Sequence, residues 1–204
     1  MRVTLFDYGA GNLHSLAKAL DGPDVELRIE SDPRAAIATD LLVLPGVGAF
    51  APAAAALAPG REAMRGALAG GLPCIGICLG MQLLFDASEE GDGAGLGVIP
   101  GRVRRLRSVR QPHMGWNSLD DGRELLLQSS ALTTAYFAHS FVCEPGDEAR
   151  VVAWTTHEDD RFASVIRHGA TLGVQFHPEK SSGEGVAFLR AALAAARALP
   201  RSAR

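Results

Sequence analysis

The sequence predicts an α/β protein: an open, mostly parallel sheet flanked by helices, with an antiparallel or mixed extension toward the C-terminal end. Three observations carry this. The first half alternates short apolar runs with longer segments of helical spacing. Two of those runs, residues 41–44 and 73–77, are continuously apolar, as expected of strands covered on both faces. The second half changes to short strand-like runs separated by turn residues.

Residues 3–6 read as a strand ending at Asp7, and residues 13–20 as a helix with Asn12 as its N-cap. Residues 25–29 alternate apolar and charged side chains, the pattern of a half-buried strand. Residues 41–44 form a buried parallel strand stopped by Pro45 and Gly46. The Ala-rich segment 50–68 is a helix broken at Pro59 and Gly60. Residues 73–77 form a further buried strand, with a helix over 79–85 directly behind it. A Gly-rich loop covers 91–101. Short strands are expected at 98–109, 136–142, 151–155, 162–167 and 171–175, and a last helix over 183–198. Residues 200–204 are expected to fray. With no internal repeat or low-complexity linker, residues 1–204 are expected to form one domain.

Composition excludes several classes. Hydrophobic residues make up 47% and charged residues 21% of the 204, which rules out disorder for the bulk of the chain. A net charge of −3 gives no general reason to bind nucleic acid or a membrane surface. No apolar run reaches the ~18–20 residues that cross a bilayer. The three cysteines, Cys74, Cys78 and Cys143, suit neither a disulfide framework nor a zinc site. The N-terminus reads as a strand, not a signal peptide, so the expected location is the cytoplasm.

The strongest chemical signal is Ile75-Gly76-Ile77-Cys78-Leu79-Gly80. A buried strand meets a cysteine with glycine two positions to either side, and a helix follows. This is the pattern of a nucleophile elbow. A sharp turn there exposes the thiol at the carboxyl edge of the sheet, and the helix start lowers its pKa and aims N–H groups at an oxyanion. A buried structural cysteine is the competing reading, and it is the one assigned to Cys74. The second signal is Gly173-Val174-Gln175-Phe176-His177-Pro178-Glu179. Pro178 stops a strand so that His177 projects at its tip, and Glu179 can fix the tautomer of the ring. Alone this could be a surface turn; with Cys78 it completes an activated nucleophile. A third element, Leu44-Pro45-Gly46-Val47-Gly48-Ala49-Phe50, could turn a second oxyanion N–H toward the thiol or be a plain tight turn. It lacks the Lys-Ser/Thr of a phosphate loop. The basic stretch 102–110 reads as a solvated strand face.

Cys78-Leu79-Gly80-Met81-Gln82 with His177-Pro178-Glu179 resembles the triad class of glutamine amidotransferases. Four more strings narrow the likeness: Asp7-Tyr8-Gly9-Ala10-Gly11-Asn12-Leu13, Pro45-Gly46-Val47-Gly48-Ala49-Phe50, His113-Met114-Gly115-Trp116-Asn117 and Tyr136-Phe137-Ala138-His139-Ser140-Phe141. Together they are similar to the glutaminase subunits of imidazole glycerol phosphate synthase, end to end. The resemblance implies the class I glutamine amidotransferase fold and hydrolysis of L-glutamine through a cysteine thioester. It implies Cys78 as nucleophile, His177 as base and acid, and Glu179 as the group that orients it. Val47 and Leu79 would supply oxyanion N–H groups, with Gly46 and Gly48 freeing the loop. Gln82, His139 and Ser140 would hold the amino-acid end of glutamine. Asn12, Trp116, Tyr136 and Lys180 would face a (β/α)₈-barrel cyclase in a heterodimer. That barrel typically needs ~250 residues, so it would be a separate chain. No metal or organic cofactor is implied. A glutaminase serving a chorismate-using or pyridoxal-phosphate-forming synthase, and a free-standing γ-glutamyl hydrolase, are the alternatives.

Overall fold

In a computed structural model, residues 1–9 and 13–198 are described. A seven-stranded sheet forms the centre. Its parallel part is made of β1 (Arg2–Phe6), β2 (Glu26–Glu30), β3 (Leu41–Leu44), β4 (Cys74–Ile77) and β12 (Thr171–Val174). Two antiparallel strands, β10 (Val151–His157) and β11 (Asp160–His168), extend it, in the order β10-β11-β12-β4-β3-β1-β2. The expected parallel sheet with a mixed extension is thus present, and β12, from the second half of the chain, inserts beside β4.

Alternate residues of the parallel strands enter two apolar clusters on opposite faces. Val3, Leu5, Val43, Ile75 and Ile77 belong to one cluster, and Phe6, Leu42, Leu44 and Cys74 to the other. Burial on both faces is why β3 and β4 read as unbroken apolar runs. The first cluster is closed by α1 (His14–Leu20), α6 (Leu125–Ser130) and α7 (Ser182–Ala198). The second is closed by α3 (Phe50–Leu57), α4 (Arg61–Ala69) and α5 (Leu79–Gln82), and α2 (Pro33–Ala36) packs near α4. Each large side chain withdrawn from water here contributes ~1.5–3 kcal/mol before entropy is counted.

Two small sheets lie beyond. β5 (Ala87–Ser88), β6 (Gly101–Arg105) and β9 (Phe141–Pro145) form one. β7 (His113–Ser118) and β8 (Thr134–His139) form an antiparallel hairpin. Register aligns the ends of the central strands: Leu44 is opposite Gly76, and Val174 is opposite Ile77. The segments following β3, β4 and β12 therefore leave the sheet together at its carboxyl edge, where ligands bind in open α/β folds.

Several sequence expectations are corrected. Leu13, not Asn12, is the N-cap residue of α1, and it makes no side-chain cap bond; Asn12 itself lies outside the described residues, as do residues 200–204. The helix after Cys78 ends at Gln82 instead of residue 85, because the chain tightens into i→i−3 bonds from Leu84 N–H to Met81 and from Phe85 N–H to Gln82. The run 98–109 contains strand only over Gly101–Arg105. The run 136–142 is two strands in different sheets, parted at Ser140. The half-buried strand at 25–29 is the sheet's edge strand β2, shifted by one residue, with Ile29 exposed.

Candidate active site

Cys78 sits between β4 and α5 with φ 47° and ψ −104°, in the left-handed region that side chains rarely adopt. Close packing holds this turn. A β-carbon on Gly76 would lie 2.7 Å from the Gly80 carbonyl oxygen, and one on Gly80 would strike the Leu44 carbonyl. Gly80 is thus required by the crossing of the elbow over β3, and Gly76 by the close return of α5 onto β4. The Cys78 N–H donates to the Val174 carbonyl at 2.7 Å, which fixes the elbow to β12.

His177 follows β12 and is buried. Its ring lies beside Cys78 on one side, where both press on Gly46, and its Nδ1–H donates to Glu179 Oε1 at 2.8 Å on the other. Burial acts to lower its pKa. The neighbouring Cys78 and then Glu179 outweigh burial and raise the pKa to about 10. The ring is therefore an imidazolium at neutral pH, ready to give a proton to a leaving group. Its backbone is anchored as well. His177 N–H donates to the Tyr136 carbonyl at 2.8 Å, while the Ser181 hydroxyl donates to the His177 carbonyl at 2.7 Å and accepts from the Tyr136 N–H at 2.9 Å.

The loop at 45–49 leaves β3 beside these groups. Gly46 lies against Cys78 and His177, Gly48 has φ 108°, and Val47 is half-buried between them. At the loop's far end the Phe50 N–H donates to Glu90 at 3.0 Å. Leu79 is the first residue of α5, so its N–H has no intrahelical acceptor. Gln82 is buried and donates to the Phe141 carbonyl at 3.0 Å. His139 is buried and Ser140 half-buried at the corner between β8 and β9, and the carbonyl of Ala138 is 3.9 Å from Cys78 Sγ. Trp116 and Tyr136 pair across the hairpin with ring centroids 6.3 Å apart, and Lys180 is exposed next to the triad. Gln175, Glu90 and Ser181 were not singled out by sequence reasoning. Gln175 is fully buried and donates to Cys78 Sγ at 3.5 Å; its place in the string ending at His177 was the only signal available. Among the described residues, no group of three or more His, Cys, Asp or Glu side chains could hold a metal ion, and no helix is long and apolar enough to cross a membrane.

A cysteine on a strained strand–helix elbow, paired with a histidine that a glutamate orients, is the apparatus of a thiol amidase on an α/β sheet. The family model for glutamine amidotransferase class-I matches residues 4–195. The imidazole glycerol phosphate synthase subunit HisH of Synechococcus sp. (strain JA-2-3B'a(2-13)) is 44% identical over 202 residues, covering 93% of this chain and 91% of that protein. HisH of Corynebacterium diphtheriae is 40% identical over 206 residues, covering 93% and 96%. Among solved structures, a glutamine amidotransferase superimposes with a TM-score of 0.72 at 20% identity, covering 96% of this chain and 98% of that one. The glutaminase domain of Trypanosoma brucei CTPS, with bound acivicin, gives 0.66 at 17%, covering 99% and 96%; these two likenesses concern the fold. The chain belongs to the class-I glutamine amidotransferase family, and within it to the HisH subunits of imidazole glycerol phosphate synthase.

Proposed function

We propose that this chain hydrolyses L-glutamine and delivers the ammonia to a cyclase subunit that makes imidazole glycerol phosphate and aminoimidazole carboxamide ribotide in L-histidine biosynthesis. The observation that carries this is the Cys78–His177–Glu179 arrangement in a chain similar to HisH proteins over nearly its whole length. The thiolate of Cys78 attacks the side-chain amide carbon of glutamine. Negative charge moves to the amide oxygen, where the N–H groups of Leu79 and of a reoriented Val47 receive it. Collapse of that intermediate breaks the C–N bond, and His177 gives its proton to the departing ammonia. A thioester remains. Neutral His177 then takes a proton from water as the water attacks the thioester; glutamate leaves, and the thiolate and imidazolium are restored.

We assign Gln82, His139 and Ser140, on the segments that border Cys78, to the amino-acid end of glutamine. Met114, Trp116 and Tyr136 make the outer face of the β7–β8 hairpin, with Met114 64% and Trp116 54% exposed, and Lys180 adjoins it. We assign this face, together with Asn12, to a (β/α)₈-barrel cyclase in a cytoplasmic heterodimer. The test is synthesis by the chain mixed with a cyclase subunit. Cys78→Ser should abolish glutamine-dependent synthesis and leave ammonia-dependent synthesis intact. Retained glutamine-dependent synthesis would overturn the assignment.

A further inference from the structure

Behind the glutamine-binding corner lies a row of three imidazoles that the triad does not use. His113 on β7 and His139 on β8 are both buried, and His113 Nδ1 lies 3.1 Å from His139 Nε2. His139 Nδ1 lies 3.1 Å from the Phe141 carbonyl, and Asn117 Nδ2 lies 3.3 Å from His113 Nε2. The proton positions follow from the two ends. A carbonyl only accepts, so His139 Nδ1 carries its hydrogen and His139 Nε2, in the neutral ring, accepts. His113 Nδ1 therefore donates, and His113 Nε2 accepts from the Asn117 amide. The amide is fixed independently, since it also donates to the Thr156 carbonyl at 2.9 Å and its oxygen accepts from the Ser118 N–H at 2.8 Å. The result is a one-way chain, Asn117 to His113 to His139 to Phe141, ending on the carbonyl that Gln82 also caps.

We propose that His113 is a positioning residue for glutamine: the N–H it gives to His139 holds the corner of Ala138, His139, Ser140 and Phe141, which passes Cys78, in the shape that receives the amino-acid end of the substrate. This rests on the glutaminase reading and deepens it. His113 also lies on the strand whose opposite face presents Met114 and Trp116. One strand thus joins the outer face of the hairpin to the substrate corner.

The chain works only with both rings neutral. If either ring gains a proton, one N–H must point at another, at His139 or at Asn117, whichever tautomer the second ring adopts. The surroundings oppose that proton. His113 is stacked between Phe137, at 4.8 Å, and His157, at 4.1 Å. Burial first, then the facing His157, lower His113 to about 4. Burial, then His113, with His177 and His157 behind, hold His139 well below the ordinary range, against the bond to Phe141. His157 is itself tied to the Arg110 carbonyl at 3.0 Å and faces Glu158, while His177 faces Cys78 and Glu179.

The experiment measures glutamine hydrolysis by the complex of this chain with its cyclase subunit, carrying His113→Leu or His113→Asn. Leucine removes the donor; asparagine keeps an N–H near the Nδ1 position. Loss of one buried hydrogen bond predicts that His113→Leu raises KM for glutamine by about tenfold with kcat within about threefold, and that His113→Asn returns KM to within about threefold of wild type. In parallel, imidazole nitrogen shifts of the unaltered protein should show His113 and His139 neutral and Nδ1-protonated at about pH 7. That measurement stands if the leucine variant does not fold. Equal KM in both variants and wild type, equal loss in both variants, or a charged or Nε2-protonated His113 would each overturn the proposal. A wild-type complex that does not hydrolyse glutamine would instead overturn the glutaminase reading.

Discussion

Gly46 faces Cys78 so closely that a β-carbon on it would lie 2.8 Å from Cys78 Cβ; the same atom would be 2.9 Å from the Ile77 carbonyl oxygen and 3.0 Å from Cε1 of His177. The loop after β3 thus packs against the proposed nucleophile and base at once, and two of the three atoms it would strike belong to that pair. Gly46→Ala must push Cys78 and His177 apart or lift the loop away. Either outcome loses an aligned attack or an oxyanion donor, and a missing donor costs ~10²–10³ in turnover. Glutamine hydrolysis by the Gly46→Ala complex should fall by about that factor, while ammonia-dependent synthesis, which uses the partner's site, stays unchanged.

Cys74 and Cys78 share one chain segment but not one chemistry. Cys74 lies within β4, 1% exposed, and burial pushes its thiol far up. Cys143 is buried in the same way and is also pushed up. An electrophilic glutamine analogue should therefore label Cys78 alone, as read by peptide mass mapping. Cys74→Ser should keep the hydrolysis rate within about threefold, because its role is packing. Labelling at Cys74 in place of Cys78 would contradict the elbow assignment.

The elevated His177 value depends on the sulfur beside it. A base raised from 6.5 to about 10 keeps its proton through neutral pH and gives it up as the pH approaches about 10. Cys78→Ser removes the sulfur and leaves burial, which lowers the value, opposed only by Glu179. Imidazole titration followed by NMR should show His177 losing its proton at distinctly lower pH in Cys78→Ser than in wild type. Coincident titrations would mean that sulfur and ring are not electrostatically coupled.

The outer hairpin face should carry partner affinity without carrying fold stability. Trp116 is 54% exposed and packs edge-on to Tyr136. Exposed aromatics at the centre of an interface contribute ~2 kcal/mol or more, so Trp116→Ala should weaken binding of the cyclase subunit by roughly 30-fold in calorimetry. The melting temperature of the isolated chain should move little, since no core contact is lost.

The catalytic half of the fold was legible because its signals are local. The runs at β3 and β4 are apolar throughout because both faces are covered, and the glycines around Cys78 are dictated by backbone contacts visible as a sequence pattern. The hairpin strand β7 was not legible because its pattern is inverted. Met114 and Trp116 face outward, whereas His113 and Asn117 point inward to the imidazole row. The helix α6 is only six residues long and gives too short a period to register. Apolar residues run on through Phe141 and Val142, which hid the break at Ser140 that sends β8 and β9 into different sheets. Gln175, Glu90 and Ser181 reach the site through long-range contacts that no local pattern encodes.

The most direct test of the whole account is the rate of glutamate release from glutamine by the purified chain, alone and with the cyclase subunit and its ribotide ligand. Ammonia released without a recipient is lost, and we propose that the loop at 45–49, with Gly46 and Gly48 allowing a peptide flip at little steric cost, withholds one oxyanion donor until the partner docks. The chain alone should be slow, the ligand-bearing complex faster by ~10²–10³, and Cys78→Ser should show no turnover in either state. Full activity in the isolated chain would contradict the gated-subunit account and point to a free-standing hydrolase, and turnover that survives Cys78→Ser would contradict the site itself.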